Sequence, residues 1–232
     1  MGSHCKASLG GVEMTEIIIT VENLTVNYKE ISVLNHISLS LEKGKVYGLV
    51  GENGSGKSTL IGCMLGLLPW ERGNITLFNK PISFSKDKNY VFSRCSAVLQ
   101  DVALPKRLTV KECLSLFSVL GNGQKDMFEI IHLLHLENQI DKKFGDLSFG
   151  QKQRVLIGTA LLQEFDILFL DEPTNGLDKE TRENLFSVIE TLRGQGKTII
   201  FISHREEEVN RICDEILLIS HGKIRIHKEE AS

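Results

Sequence analysis

The glycine-rich segment at residues 51–58 (GENGSGKS) constrains the fold of this chain more than any other feature. It fits the pattern G-x-x-x-x-G-K-[ST] and follows residues 46–50, an apolar run typical of a strand buried on both faces. The pattern binds phosphate when it joins a strand to a helix, because backbone N–H groups and the helix N-terminus then surround the anion. The sequence therefore predicts a strand, a phosphate-binding loop and a helix that ends near Leu68.

The residue types of this loop indicate a nucleoside triphosphate bound together with Mg²⁺. Glycines let the backbone wrap around the phosphates, Lys57 reaches the outer phosphates, and the Ser58 hydroxyl binds the metal ion. The predicted nucleotide-binding residues of the loop are Gly51, Glu52, Asn53, Gly54, Ser55, Gly56, Lys57, Ser58 and Thr59.

Strand and helix patterns alternate along the rest of the chain. Short alternating runs near the N-terminus favour antiparallel strands, whereas later apolar runs separated by helical segments favour a mostly parallel sheet. Between residues 101 and 146 the periodicity becomes helical, which predicts an inserted helical subdomain. We therefore expect an α/β fold in three layers with an antiparallel, β-rich N-terminal part. The predicted strands are residues 17–21, 24–28, 37–41, 46–50, 74–78, 96–100, 167–170, 198–202 and 215–219.

Two adjacent carboxylates follow the apolar run at residues 167–170. Asp171 suits the coordination shell of Mg²⁺, usually through a water molecule, and Glu172 can polarise an attacking water. Neighbouring side chains of a strand point to opposite faces, so we expect the two carboxylates to have separate tasks. Beside a phosphate-binding loop, the pair favours a catalytic role over a solvated turn. The later acidic run Glu206, Glu207 and Glu208 instead favours a solvated first helical turn.

Residues 147–151 (LSFGQ) indicate a second anion site. Ser148 occupies the capping position of a predicted helix, where its hydroxyl and the free N–H groups attract an anion. The chain then has two phosphate sites but one loop of the G-x-x-x-x-G-K-[ST] type. Two domains that meet head to tail, each completing the site of the other, would explain this arrangement. The alternative is a capped surface helix without a ligand.

The order of these motifs resembles that of ATP-binding cassette (ABC) transporter nucleotide-binding subunits, over residues 15–227. Gln100 at a strand end precedes residues 147–151, and residues 176–178 and then His204 follow the carboxylate pair. The resemblance implies a P-loop NTPase core of the ABC ATPase type, transport-coupled ATPase activity, and ATP and Mg²⁺ as ligands. It also implies membrane-spanning transporter subunits on another chain as partners, and a homodimer or a heterodimer with a second ABC subunit.

The resemblance implies roles for individual residues as well. Tyr28 would stack on adenine, Gln100 would touch Mg²⁺ or the attacking water, and His204 would contact the γ-phosphate and orient Glu172. Asp178 would lie at the dimer interface. The implied catalytic residues are Glu172, His204 and Gln100, the implied metal ligands are Ser58, Gln100 and Asp171, and the residues implied to act across the dimer are Ser148, Gly150, Gln151 and Asp178.

The segment at residues 147–151 departs from the family pattern L-S-G-G-Q at one position, because Phe149 stands in place of the first glycine. A glycine there would allow unusual backbone angles or a close approach to phosphate. We expect the Phe149 side chain to turn away from the phosphate and to contact the partner subunit, while Ser148, Gly150 and Gln151 retain the main donors.

Composition limits the remaining possibilities. The formal net charge of −3 argues against a general nucleic-acid surface, so no nucleic-acid partner is expected. Apolar runs fall far short of the roughly 20 residues that span a bilayer, and we expect a cytoplasmic protein that is peripheral to the membrane. The five dispersed cysteines fit reduced thiols. Residues 1–13 are expected to be a leader or a disordered tail, and residues 14–232 to form a single domain.

Two other functions compete with the transport ATPase. A soluble ABC ATPase of the iron–sulfur cluster assembly type would share all of these motifs but would have only soluble partners. A P-loop kinase acting on small molecules would leave residues 147–151 and His204 without a role.

Overall fold

The computed structural model describes residues 16–100, 102–121 and 126–227. The predicted leader, residues 1–13, lies outside this part of the chain, as does Asp101. The strands are β1 (Ile17–Tyr28), β2 (Ile31–Glu42), β3 (Val46–Val50), β4 (Arg72–Leu77), β5 (Lys80–Ile82), β6 (Cys95–Val98), β7 (Ile167–Asp171), β8 (Thr198–Ile202), β9 (Glu215–Ser220) and β10 (Lys223–His227). The helices are α1 (Lys57–Met64), α2 (Lys88–Phe92), α3 (Val110–Leu120), α4 (Met127–Leu133), α5 (Phe149–Leu161), α6 (Lys179–Gly194) and α7 (Glu206–Ile212).

The N-terminal strands form an antiparallel sheet, as predicted, and their order is β2-β1-β4-β5. The runs at residues 17–21 and 24–28 were expected to be separate strands, but both belong to β1. The pairing of β1 with β2 shifts register between Val21 and Leu24, and Asn23 has a φ of 49°. A bulge therefore bends the strand at this point instead of ending it.

The second sheet has the strand order β10-β9-β3-β8-β7-β6. Only β10 pairs antiparallel, with β9, and the other neighbouring strands are parallel. Both faces of this sheet are covered. In β7, Ile167 and Phe169 belong to the core shared with the antiparallel sheet and α1, whereas Leu168 and Leu170 belong to the core shared with the helices on the other face. Double burial explains why the parallel strands are apolar without alternation.

The sheet order brings four motifs to one edge. Because β3, β8, β7 and β6 are consecutive parallel neighbours, their carboxyl ends lie side by side. Ligands of open α/β sheets bind at the carboxyl ends of strands. The residues that follow these ends are the loop 51–58 after β3, His204 after β8, Glu172 after β7, and Gln100 after β6.

Helix α1 is shorter than predicted, because it ends at Met64 and not near Leu68. Gly66 follows with a φ of 64°, and the Leu67 N–H donates to the Gly62 carbonyl at 2.7 Å. A glycine in the left-handed region just past a helix is a common way to end it, because the backbone turns without a steric penalty.

Helices α3 and α4 lie within residues 101–146, where helical periodicity was predicted. Thr109 and Glu112 form a capping box at the start of α3, and the Asp126 carboxylate accepts from the Phe128 N–H at 2.8 Å. Helix α3 packs on α5, where a side chain at Gly158 would come within 3.1 Å of Leu114. The division of the chain into a 14–232 domain with this subdomain remains a prediction.

Among the described residues, none of the helices has both the length and the apolar character that crossing a bilayer requires. The thiols of Cys63, Cys95, Cys113 and Cys213 are free, and burial raises the pKa of Cys63 and of Cys95 to about 12.

Candidate active site

A cavity of about 500 Å³ opens at the carboxyl edge of the parallel sheet. It brings together side chains from the glycine-rich loop, from the ends of β6, β7 and β8, and from β2 of the antiparallel sheet. The lining residues are Val33, Asn53, Gly54, Gly56, Lys57, Ser58, Thr59, Gln100, Asp171, Glu172, Asn175 and His204. Six of the nine predicted loop residues therefore share one cavity with the carboxylates, the glutamine and the histidine. The other three, Gly51, Glu52 and Ser55, do not line it.

The glycine-rich loop has the backbone that its sequence requires. Gly54 and Gly56 have φ angles of 78° and 106°, a region that other residues rarely adopt. A Cβ atom at Gly56 would also lie 2.8 Å from the Leu34 side chain. The Lys57 ammonium donates to the carbonyls of Gly51 and Glu52 at 2.7 and 2.9 Å, so the positive charge lies within the loop.

The loop fits a phosphate anion. The Ser55 hydroxyl is buried, and the described residues offer it no hydrogen-bond partner. The N-terminus of α1, at Lys57, adds the unpaired N–H groups and the positive dipole end that favour anions. The glycines, the lysine and the helix N-terminus of this loop are therefore suited to a phosphate.

The cavity also fits a magnesium ion, because its donors are of the right chemical type. Ser58, Gln100 and Asp171 contribute a hydroxyl, an amide and a carboxylate oxygen to the lining. Mg²⁺ prefers such hard oxygen ligands and binds through few protein groups together with substrate phosphates.

The two carboxylates do not point to opposite faces, which corrects the prediction from strand alternation. Strand β7 ends at Asp171, and Glu172 has a left-handed φ of 50°. The Glu172 N–H donates to the carbonyl of Ile202 on β8 at 3.0 Å. This turn returns the Glu172 side chain to the cavity that Asp171 already lines.

Glu172 and His204 are in direct contact, with 2.9 Å between the carboxylate Oε2 and the imidazole Nδ1. The Glu172 side chain is 8% exposed and the His204 side chain 58% exposed. A carboxylate bound to one ring nitrogen fixes the orientation of the ring and leaves the other nitrogen for a ligand. The pair can therefore hold a water and a phosphate oxygen at adjacent positions.

Residues 147–151 begin α5 as the sequence predicts. The Gln151 N–H donates to the Ser148 hydroxyl at 3.3 Å, and the Ser148 N–H donates to the Gln151 amide oxygen at 3.0 Å. This reciprocal capping box fixes both side chains at the helix start. Neither residue lines the 500 Å³ cavity, so the helix start predicted to bind an anion is separate from the loop of the same chain.

The glycine that close packing requires in this turn is Gly150, not position 149. A Cβ atom at Gly150 would lie 2.0 Å from the Gly176 carbonyl oxygen. Phe149 is the first residue of α5, its side chain is 66% exposed, and its ring lies 2.7 Å from the position that a Cβ atom at Gly176 would take. The Phe149 ring is therefore accommodated because residue 176 is a glycine, which has no Cβ atom to clash with it.

Asp178 and Tyr28 lie outside the cavity as well. The Asp178 carboxylate caps α6 and accepts from the Thr181 N–H at 2.8 Å, which holds the pKa of Asp178 below its ordinary value. Tyr28 ends β1 with 48% of its side chain exposed, and it pairs with Ile31 across the hairpin.

The sequence reasoning missed three residues near the site. Val33 and Asn175 line the cavity, and Glu208 is 5% exposed although its acidic run was expected to be solvated. Glu208 lies four residues before the buried Ile212, so both lie on the inward face of α7. That spacing is the signal that could have identified it.

Comparison with known proteins agrees with this geometry. The family model for ABC transporters matches residues 34–175. The linearmycin resistance ATP-binding protein LnrL of Bacillus subtilis is 34% identical over 212 residues, which cover 89% of this chain and 68% of that protein. The manganese transport system ATP-binding protein MntB of Listeria innocua is 33% identical over 218 residues, 89% of this chain and 90% of that protein. Of the galactose import ATP-binding proteins that it matches, this chain spans less than half.

Solved structures show the same architecture. The dimeric structure of MJ0796, a bacterial ABC transporter cassette, has a TM-score of 0.83 and 26% identity over 93% of this chain and 100% of that chain. Another dimeric structure of MJ0796 is a post-hydrolysis state bound to ADP and Pi. The relatives named above are a resistance protein and transport proteins, which favours the transport ATPase over the iron–sulfur assembly alternative. The chain therefore belongs to the ABC transporter family, as an ATP-binding and ATP-hydrolysing subunit.

Proposed function

We propose that this subunit hydrolyses ATP as a face-to-face pair, in which the helix start at Ser148 of each subunit completes the cavity of the other. The observation that carries the proposal is that the capped helix start at Ser148 lies apart from the glycine-rich loop of the same chain. Ser148, Gly150 and Gln151 lie outside the cavity that contains Lys57. The dimeric structures of the related cassette support a paired arrangement.

The proposed chemistry uses residues of the cavity in distinct roles. A water attacks the γ-phosphorus, the bond to the β-phosphate oxygen breaks, and the products are ADP and phosphate. Glu172 polarises the water and takes up its proton, while His204 holds the Glu172 carboxylate and contacts the γ-phosphate. Lys57 binds the outer phosphates. When bound by Ser58, Gln100 and Asp171, Mg²⁺ would neutralise developing charge on the phosphate oxygens.

Tyr28 is proposed to stack on the adenine ring. A second cleft, of about 200 Å³, lies beside the glycine-rich loop and is lined by Ile31, Asn53 and Gly54 among others. Tyr28 pairs with Ile31 in the β1–β2 hairpin, so it neighbours a residue that lines this cleft. A base stacked there would continue directly from phosphates bound in the loop.

We also propose that the subunit works at the cytoplasmic face of a membrane, with membrane-spanning subunits on another chain. Pro105, Lys106 and Arg107 are exposed in the segment that leads to α3, and the Val102 side chain is 47% exposed. We propose this exposed segment as the surface that docks the membrane-spanning subunit. The chain contains both the phosphate-binding loop at residues 51–58 and the helix-start residues Ser148, Gly150 and Gln151. Two identical copies could therefore complete each other's sites, which favours a homodimer.

Phe149→Ala should weaken the ATP-dependent dimer by about tenfold or more, because burying a phenylalanine stabilises an interface by roughly 1.5–3 kcal/mol. The affinity is measured by analytical ultracentrifugation with ATP, in a Glu172→Gln background that retains the nucleotide. Phe128→Ala is the matched control, because Phe128 is 73% exposed but lies on α4. ATP hydrolysis by Phe149→Gly is measured in parallel. Unchanged hydrolysis and unchanged dimer affinity would exclude a role for the ring at the interface.

The transport role is tested with the Glu172→Gln subunit, which is expected to retain ATP without turning it over. The tagged variant is incubated with native membranes in ATP and recovered, and its partners are identified by mass spectrometry. Membrane-spanning subunits should be recovered with Glu172→Gln and lost with Lys57→Ala, which cannot hold the phosphates. Recovery of soluble partners alone would contradict the transporter assignment and support an assembly function.

A further inference from the structure

The buried carboxylate of Glu208 is hydrogen-bonded to two residues that lie close in sequence to Glu172 and His204. Glu208, on α7, is 5% exposed, and its Oε2 accepts from the hydroxyls of Thr174 at 2.8 Å and Ser203 at 3.1 Å. Thr174 and Ser203 are themselves fully buried. The two hydroxyls and the carboxylate oxygen therefore form a hydrogen-bonded network that is buried from solvent.

The two hydroxyl residues come from the two segments that carry the catalytic pair. Thr174 follows Glu172 by two residues, and Ser203 directly precedes His204. The Asn175 N–H donates to the Glu172 carbonyl at 3.2 Å, which keeps this turn tight. One carboxylate thus joins the segment that follows β7 to the segment that follows β8, and Glu172 and His204 of these same segments form the 2.9 Å contact.

Two guanidinium groups compensate the buried charge of Glu208. Arg205 donates to Oε1 at 3.3 Å, and the Arg182 Nε on α6 lies 3.7 Å from the same oxygen. The Arg205 N–H also donates to the Ser203 hydroxyl at 3.1 Å. A buried carboxylate without such partners would be strongly destabilising, so the site is built to hold a charged group in place.

We propose that Glu208 is a positioning residue for ATP hydrolysis, which sets the distance between Glu172 and His204 through Thr174 and Ser203. It does not line the cavity, and the hydrogen bonds of its carboxylate go to Thr174, Ser203 and Arg205. Its effect comes from geometry: a displacement of about 1 Å at a reacting group can lower a rate by about 100-fold. The proposal rests on the ATPase activity alone and is independent of the dimer arrangement.

The first test compares Glu208→Gln with Glu207→Gln, its exposed neighbour on the same helix. Glutamine keeps the size of Glu208, but its amide has a single acceptor oxygen. That oxygen can accept either from the Thr174 and Ser203 hydroxyls or from Arg205, and the NH₂ group then faces the remaining donors. We expect kcat to fall about tenfold or more in Glu208→Gln and to stay unchanged in Glu207→Gln, whereas the Kd for ATP is unchanged in both. A parallel loss of ATP affinity, or a kcat equal to that of Glu207→Gln, would overturn the proposal.

A double-mutant cycle distinguishes positioning from a general loss of structure. If Glu208 acts through the Glu172–His204 contact, Glu208→Gln should lower kcat only slightly in a His204→Ala background. An equal fold-loss in both backgrounds would show that the effect does not pass through His204. Thr174→Val removes the hydrogen bond to Glu208, and Ser203→Ala removes its bond to Glu208 together with the bond from the Arg205 N–H. Both variants leave the charge of Glu208 intact, and they are used if Glu208→Gln does not fold. Each should lower kcat with unchanged ATP affinity, and wild-type kcat in both would overturn the proposal.

Discussion

Glu172→Gln should lower the ATP turnover number by about 10²–10⁴-fold, the range expected when a positioned acid or base is removed. Glutamine occupies the same volume but cannot take a proton from the attacking water. The 2.9 Å contact with His204 can persist through the amide oxygen, so the cavity should keep its shape. The structure therefore predicts a defect in chemistry without a defect in binding.

Turnover of this variant is measured as phosphate release at saturating ATP, and ATP affinity is measured by equilibrium binding. Glu207→Gln serves as the control, because its carboxylate is exposed and lies outside the cavity. Retention of more than about a tenth of the wild-type turnover would show that another group activates the water.

Gly150→Ala should remove most of the ATPase activity through a steric effect. The new Cβ atom would lie 2.0 Å from the Gly176 carbonyl oxygen. The oxygen belongs to the backbone and the Cβ atom is bonded to the backbone, so a side-chain rotation cannot relieve the clash. Either the start of α5 or the loop before α6 must shift. Overpacking of this kind costs roughly 1–3 kcal/mol of stability. A shift at the helix start also moves Ser148 and Gln151, so we expect activity to fall by about tenfold or more.

Gly194→Ala is the matched control for this substitution. Gly194 ends α6, no atom lies within 4 Å of its added Cβ position, and its φ is not in the left-handed region. It should keep wild-type activity and melting temperature. Wild-type activity in Gly150→Ala would show that the contact between the two glycines is not needed for turnover.

The position of the cavity could be predicted from sequence because parallel strands share an edge. The loop at residues 51–58, Gln100, the carboxylate pair and His204 each follow an apolar run, and the sheet places those runs side by side. The local sequence also predicted the capped helix at Ser148, and its capping box is formed by residues three apart in the chain. Local patterns of this kind depend only on neighbouring residues.

The features that escaped prediction depend on contacts between distant segments. The left-handed turn at Glu172 is fixed by its bond to Ile202, thirty residues away in sequence, so strand alternation gave the wrong face for its side chain. The burial of Glu208 depends on Thr174, 34 positions earlier. The end of α1 could have been predicted from local sequence, because a glycine such as Gly66 commonly ends a helix. The apolar residues that follow Gly66 led to the prediction of a longer helix.

The most direct measurement of the paired site is an activity assay on mixed variants. Lys57→Ala disables the phosphate-binding loop and Gly150→Ala disturbs the helix start, so each protein alone should keep about a tenth of the wild-type rate or less. In a mixed dimer, the intact loop of one subunit meets the intact helix start of the other. An equimolar mixture should recover roughly a quarter of the wild-type rate, since half of randomly formed dimers are mixed and each has one complete site. A mixture that stays at the sum of the two single variants would contradict a site completed across the dimer.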